Sequence, residues 1–408
     1  MKTAYLVAGL AYGDEGKGAT VDYLCRQYAV NLVVRYNGGA QAAHNVVDSL
    51  NPSKHHTFAQ FGSGTLAGAN TYISKHVLIE PRFMLNEAKH LEELGVKQPF
   101  SKLLIHENAL VITPFQIAAN RIIEDFRKKN KIEHGSCGMG IGQTRSDFLQ
   151  YGEKVLFAGD LQYKSITENK LYFLRGRCRE TIEETLKTRL NKIDHAESSW
   201  FAYDSEIDYL INEWYLKFPG RNLTCESDEF ALRGEDGIVF EGAQGMLLDE
   251  KYGEPDHNTW TDITFNNANE LLANANFDGK IEKVGVLRSY FTRHGVGPFE
   301  ENSSLSYPEP HNSSFSRQGK FRIGDFNFKL ARYAFNAIGG VDIVALNHLD
   351  YIEESKRKEF VEKLSNTLQV SRFVLGFGPA ASNRKERLVN LNDDYFNDYG
   401  IRRGVCCS

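Results

Sequence analysis

The chain has 408 residues, 41% hydrophobic and 25% charged, with a formal net charge of −5, the composition of a globular protein long enough to bury a large core. Both signs of charge are interspersed, which argues against a nucleic-acid or membrane partner and confines any anion site to a local feature. The six cysteines (Cys25, Cys137, Cys178, Cys225, Cys406, Cys407) form neither a CxxC metal pattern nor a disulfide framework, so a reducing cytoplasm is the expected setting.

In chain order, the apolar run from Tyr5 to Leu10 predicts a buried first strand, too short for a signal or membrane segment. Gly13 to Gly18 predicts a glycine-rich turn and Ala19 to Tyr28 a helix, the opening of an α/β sheet whose ligands bind at the carboxyl edge of the strands. Asn31 to Tyr36 predicts a second strand, running into Gly38-Gly39. Ile238 to Phe240, Lys283 to Leu287 and Val341 to Leu346 are further short apolar runs, suited to strands buried on both faces. Three-to-four spacing of apolar residues marks helices over Pro81 to Leu94, Pro114 to Lys128 and Cys178 to Leu190. These elements predict an α/β fold: a central, mostly parallel sheet with helices on both faces and a P-loop-like phosphate loop after the first strand. Residues 95–230 form a helix-rich insertion, and no Gly/Pro/Ser-rich linker divides residues 1–408, so a single domain is expected. The polar stretch 302–320 predicts a long loop, of the kind that is usually functional.

Gly13-Asp14-Glu15-Gly16-Lys17-Gly18 offers backbone N–H groups and a helix N-terminus to an anion, and Lys17 adds a point charge. It is not a Walker A loop, since Ala11 and Gly18 stand where that motif needs glycine and a hydroxyl. A tight strand-to-helix turn is the plain alternative. An acid inside a phosphate loop repels phosphate unless it holds Mg²⁺ or moves a proton, which gives Asp14 a chemical task. After the second strand, Asn37-Gly38-Gly39-Ala40-Gln41-Ala42-Ala43-His44-Asn45 lets another molecule approach the backbone closely. His44 alone reads as a hydrogen-bonded structural histidine; beside a carboxylate on a neighbouring strand end it becomes an acid/base partner.

GDEGKG, RYNGGAQAAHN and FEGAQGMLLDEKYG, in this order and spacing, resemble the adenylosuccinate synthetase family. TRHGVGPF (Thr292 to Phe299), RIGDF (Arg322 to Phe326), NHLD (Asn347 to Asp350) and GFGP (Gly376 to Pro379) are similar to its TRVGxGPF, RCGWF, TKLD and STGP blocks, so the likeness runs nearly end to end. It implies a ligase that phosphorylates O6 of IMP with GTP and displaces that phosphate with L-aspartate, producing adenylosuccinate with Mg²⁺ as cofactor. The family's catalytic pair falls on Asp14 and His44, and its metal ligands on Asp14 and Ala43. Its GTP contacts fall on Gly13, Glu15, Gly16, Lys17, Gly18, His348, Asp350, Gly376 and Gly378. Its purine-substrate contacts fall on Asp14, Gln41, Ser136, Cys137, Gln244 and Thr259, and its aspartate contacts on Arg322, Arg317 and Lys320. A homodimer is also implied, although the partner-subunit arginine of the family has no secure match near Arg145.

Several of these positions depart from the family. Cys137 replaces a hydroxyl, His348 the lysine over guanine, Gly376 a serine, His294 a valine, and residues 255–262 a segment beside the purine, Trp260 included. On residues alone, Gln244 reads equally as a turn amide, Asp350 as a cap, and Arg317 and Lys320 as a solvated basic loop. The departures leave two alternatives open: the bacteriophage branch that makes 2-aminoadenylosuccinate from dGMP with ATP, dATP or GTP, and an inactive nucleotide-binding regulator. Retention of Asp14 favours a hypoxanthine substrate.

Overall fold

The computed structural model describes residues 2–49, 51–132, 135–219, 223–309, 312, 317 and 319–389. Residues 310, 311, 313–316 and 318 of the 302–320 loop and the Cys406-Cys407 pair lie outside the described residues.

Ten strands form one sheet: β1 (Thr3–Gly9), β2 (Leu32–Arg35), β3 (Asn70–Ile73), β4 (Leu103–His106), β5 (Thr224–Cys225), β6 (Gly237–Gly245), β7 (Lys280–Arg288), β8 (Ile343–Asn347), β9 (Arg372–Gly376) and β10 (Arg384–Leu388). Their spatial order is β10-β9-β8-β7-β1-β6-β2-β3-β4-β5, and every pair is parallel except β9 with β10. Alternation along the strands sorts side chains to two buried faces. Tyr5, Val7, Val33, Val239, Val284 and Ile343 pack with Val21 and Leu24 of helix α1 (Lys17–Gln27). Ala4, Leu6, Val34, Phe240 and Val344 pack on the other face with helices over Asn266–Asn274, Phe328–Ala337 and Glu354–Leu368. The expected parallel sheet with helices on both faces is thus present.

The helix-rich insertion runs between β4 and β5 and carries helices over Pro114–Lys129, Ile141–Tyr151, Lys164–Leu186 and Ser205–Lys217 around their own core. The first is capped by Thr113 and Gln116, each side chain bonded to the other's backbone N–H. Three short strands lie inside the range 95–230: β4 and β5, which add an edge to the main sheet, and Leu110–Val111, paired with Leu78–Ile79. The third helix begins at Lys164, well before the periodicity at Cys178 predicts.

Because the parallel strands point the same way, the loops after β1, β2, β6, β7, β8 and β9 gather at one edge. At that edge β6 is irregular: its pairing with β1 runs in register to Val7↔Glu241, then shifts before Gly9↔Gly245. The irregularity sets Gln244 at φ 63°, a left-handed conformation uncommon outside glycine. Gly245 is bare for a steric reason, since a Cβ there would collide with the Ala11 carbonyl and lie 2.6 Å from the Gly13 nitrogen. Both neighbours are backbone and cannot step aside, so Gly245→Ala is expected to cost about 1–3 kcal/mol of stability, read as a lowered urea midpoint at unchanged slope.

Candidate active site

The loop after β1 is built around Glu15. Its carboxylate turns inward, with Oε1 accepting from the backbone N–H groups of Ala11 (3.0 Å) and Gly13 (2.8 Å) and Oε2 lying 2.6 Å from Lys17 Nζ. Lys17 also donates to the Gly13 carbonyl at 2.6 Å, and both charged residues are buried. Gly16, at φ 90°, turns the chain into α1. Asn347, at the end of β8, donates to the Glu15 carbonyl (2.8 Å) and accepts from Arg384 (3.1 Å). A Cβ on Gly16 would lie 2.9 Å from Asn347 Nδ2, and one on Gly376 would lie 2.7 Å from Asn347 Oδ1. Asn347 therefore occupies the room that a serine at 376 would need.

Asp14 points out of the same loop, its side chain 29% exposed. Its Oδ2 lies 3.3 Å from Nε2 of His294, on the ribbon of Phe291–His294 against Phe321–Gly324. Burial alone raises the carboxyl pKa, but the His294 bond and charge, with Arg288 and Lys17, bring it below the ordinary value. Burial likewise opposes protonation of His294, and Asp14 with Asn312 overrides it, raising the pKa of the ring.

His44 opens a short strand, His44–Val47, paired antiparallel with His55–Phe58. It packs on α1 because Gly18 has no side chain: a Cβ there would sit 2.8 Å from the His44 Cβ. Its Nδ1 lies 2.5 Å from Oε1 of Glu241, in β6. Glu241 Oε2 also accepts from the Ser63 backbone N–H (2.9 Å), and Oε1 from the Ser63 hydroxyl. Burial raises the Glu241 pKa, yet the Arg35 charge, His44 and Ser63 hold it at about 2. Burial lowers the His44 pKa against the pull of Glu241. An ionised carboxylate at Nδ1 makes that nitrogen the donor and leaves Nε2 as the base.

Gln41 and Gln244 stand on the loops after β2 and β6. Both polar atoms of the Gln41 amide are buried with no hydrogen-bond partner, which marks a position prepared for a polar ligand. Thr259 lies in the 246–265 segment, its backbone N–H on the Leu248 carbonyl (2.8 Å), and Trp260 is 51% exposed. In the loop before the Ile141–Tyr151 helix, the Gly135 and Ser136 N–H groups already point at Glu124 Oε1 (2.8 and 3.3 Å), and the Ser136 hydroxyl donates to Asn120 (3.0 Å). Burial pushes the Cys137 thiol up.

On the other flank, His348 follows β8 at φ 61°, its ring stacked on Tyr351 (5.6 Å, 23°) and edge-on to Tyr290 (5.6 Å, 82°). Burial, then Arg288 and Arg384, lower its pKa far below the ordinary value, so this ring is neutral, and its Nδ1 is buried without a partner. Asp350 is exposed beside it; Gly376 ends β9, and Gly378 follows, facing Asn383. The three cations proposed for aspartate are dispersed. Arg322 donates twice to the Gly297 carbonyl (3.1 Å each) and lies over Phe299, Lys320 pairs with Glu301 (2.6 Å), and Arg317 pairs with Asp125 (2.9 Å) against Gly138.

Among the described residues no group of three or more His, Cys, Asp or Glu side chains could hold a metal. The Asp14 carboxylate and the carbonyl of Ala43, an exposed residue, are oxygen donors on the loops after β1 and β2, the donor type that suits Mg²⁺ completed by nucleotide phosphates. Sequence reasoning missed Glu241, Ser63, Arg35 and the bracing by Asn347. Glu241 lies inside the FEGAQG block and was its available signal.

Glu241 also makes a stability prediction. Its folded pKa lies below the ordinary 4.5, at about 2, so its contribution is complete above pH 4.5 and is lost as the pH falls toward 2. Glu241→Gln is expected to flatten the fall of Tm across that window, measured by thermal unfolding at stepped pH.

Comparison with known proteins identifies the family and the fold. The adenylosuccinate synthetase family model matches residues 6–362. The adenylosuccinate synthetase of Streptomyces griseus is 31% identical over 361 residues, 86% of this chain and 78% of that protein. That of Clostridium beijerinckii is 31% identical over 311 residues, 73% of this chain and 65% of the relative's length. The fully ligated Plasmodium falciparum enzyme superposes with a TM-score of 0.76 at 18% identity, over 93% of this chain and 98% of that one. The cyanophage S-2L succinoaminodeoxyadenylate synthetase, solved with dGMP and dATP, superposes with a TM-score of 0.63 at 18% identity, over 95% and 96%. With a phosphate loop, an acid at its mouth and a match of this extent, the chain belongs to the adenylosuccinate synthetase family, ligases that form a carbon–nitrogen bond.

Proposed function

We propose that the protein joins L-aspartate to C6 of IMP through a 6-phosphoryl intermediate, converting GTP to GDP and phosphate and giving adenylosuccinate. The observation that carries this reading is that one sheet edge holds both Asp14, outward on the loop after β1 and in contact with His294, and a His44–Glu241 dyad beside β2 and β6. In the first step Asp14 takes the N1 proton and O6 attacks the γ-phosphorus as GDP leaves. Phosphate charge favours protonation of His44, whose imidazolium, steadied by Glu241, then stabilises the transferring group. In the second step the amine of aspartate attacks C6 and the 6-oxygen departs with phosphate. Mg²⁺, held by Asp14 and the Ala43 carbonyl, would neutralise phosphate charge. Gln41, Gln244, Ser136, Cys137 and Thr259 are assigned to the purine nucleotide, and the phosphate loop with His348, Asp350, Gly376 and Gly378 to GTP.

A second reading has dGMP as substrate and ATP, dATP or GTP as donor. It is favoured by His294, a polar ring at Asp14 where the family has valine, and by the neutral His348 in place of a lysine. The proposal includes one catalytic unit over residues 1–408, a homodimer and a cytoplasmic setting. No helix among the described residues is long and apolar enough to cross a membrane.

Phosphate release is the test, with IMP, dIMP, GMP and dGMP against GTP, ATP and dATP, each with aspartate. IMP or dIMP is expected to lead dGMP by about one to two decades in kcat/KM, because a buried 2-amino group without an acceptor costs roughly 1–3 kcal/mol. Asp14→Asn and His44→Ala are each expected to lower kcat at least about a hundredfold while nucleotide still binds. A lead for dGMP establishes the second reading, and no turnover with any pair indicates an inactive nucleotide-binding protein.

Arg322→Ala is expected to raise KM for aspartate about ten- to a hundredfold and leave that for the purine nearly unchanged, since a charge-assisted contact to carboxylate contributes roughly 1.5–3 kcal/mol. An unchanged aspartate KM assigns the contact to Arg317 or Lys320.

A further inference from the structure

Asp14 stands at one end of a continuous line of polar contacts, an ion pair followed by hydrogen bonds, that crosses to the donor-nucleotide flank. His294 Nε2 lies 3.3 Å from Asp14 Oδ2 and 3.2 Å from Asn312 Oδ1. Asn312 Nδ2 donates to Glu309 Oε2 at 2.8 Å. Glu309 Oε1 in turn accepts from Arg288 (2.6 Å) and Tyr290 (2.5 Å), both buried at the end of β7.

The chemistry of these partners fixes every donor. Glu309 is satisfied by Arg288 and can only accept from Asn312, so the Asn312 amide nitrogen faces it and the amide oxygen faces His294. Nε2 of His294 then meets two oxygens, both acceptors, and must carry a hydrogen. The ring packs against Phe321 with centroids 4.8 Å apart, which restricts its rotation. A carboxylate on a loop turns about two torsions and samples several orientations; an N–H donor held by a ring, an amide and a buried arginine selects one.

We propose that His294, braced by Asn312 and Glu309, is the positioning residue of Asp14: it holds Oδ2 and thereby presents Oδ1 to the purine. The proposal rests on the reading of Asp14 as the base. The family carries valine at this position and must orient its aspartate otherwise, whereas here removal of the ring leaves Asp14 and Asn312 facing an empty space.

His294→Val, which restores the family residue, and His294→Gln, which keeps an N–H donor, make the test. Kinetics with the preferred purine and donor are expected to show kcat reduced about 10–100-fold in the valine variant with purine KM within about threefold, and a substantial recovery in the glutamine variant. Parental kcat in His294→Val, a loss confined to KM, or a glutamine variant no better than valine each overturn it. Proton NMR of the resting protein with labelled histidine gives a readout free of turnover. A downfield ring N–H resonance, lost in His294→Val and moved upfield in Asp14→Ala, is expected, and a resonance indifferent to Asp14→Ala overturns the contact. If the parent fails to turn over any substrate, the functional reading fails, while this resonance still decides the contact.

Discussion

Beneath the phosphate loop, the Glu15 carboxylate holds the Lys17 ammonium and two backbone amides in a space closed to solvent. A buried ion pair of this kind is costly to desolvate, and further hydrogen bonds offset that cost: two backbone N–H groups donate to the carboxylate and the ammonium donates to the Gly13 carbonyl. Much of the sheet edge is shaped around it. Gly9 is bare because the Glu15 side chain fills the volume a Cβ would take, and at Gly245 the same carboxylate adds to the backbone of Ala11 and Gly13. Lys17 is bound to the loop carbonyl at Gly13 instead of swinging free, and Asn347 ties the whole turn to β8 through the Glu15 carbonyl. The loop is thereby formed in advance, with its shape settled by a charge that faces inward.

Adjacent acids consequently perform unlike tasks. Glu15 is surrounded by donors and sealed; Asp14, the preceding residue, is turned to the open side and meets one histidine. A similar division separates Glu241 from His44, where an ionised carboxylate under Arg35 decides which nitrogen of the ring keeps its proton. Environment, more than residue type, assigns the role.

The legible part of the fold was the part written in local pattern. Uninterrupted apolar runs located β1, β2, β7 and β8, and helical spacing located the helices beginning at Pro81 and Pro114. The strands of the sheet that escaped notice, β3, β4, β5, β9 and β10, are two to five residues long, and β10 is mostly charged (RKERL). β6 reaches nine residues because glycines 242 and 245 belong to an irregular strand end and not to a turn. At the site, motif blocks located the loops but not the partners across them. The motif that places Glu15 in the loop does not say where its carboxylate goes, which is onto Lys17. Glu241 reaches His44 across 197 positions of chain, and His294 reaches Asp14 across 280, distances over which no local pattern carries information.

Asn347 wedges its amide between two glycines, Gly16 in the phosphate loop and Gly376 at the end of β9. Two apparent departures from the family, asparagine for threonine at 347 and glycine for serine at 376, are therefore a single change recorded twice. A side chain at 376 would meet the Asn347 Oδ1, the same oxygen that accepts from Arg384, so the two positions share one contact. A serine grafted at 376 therefore displaces the Asn347 amide and, with it, the bond that ties the loop after β1 to β8 through the Glu15 carbonyl. Positions of this sort mislead comparison by column, because each residue is meaningful only with its companion.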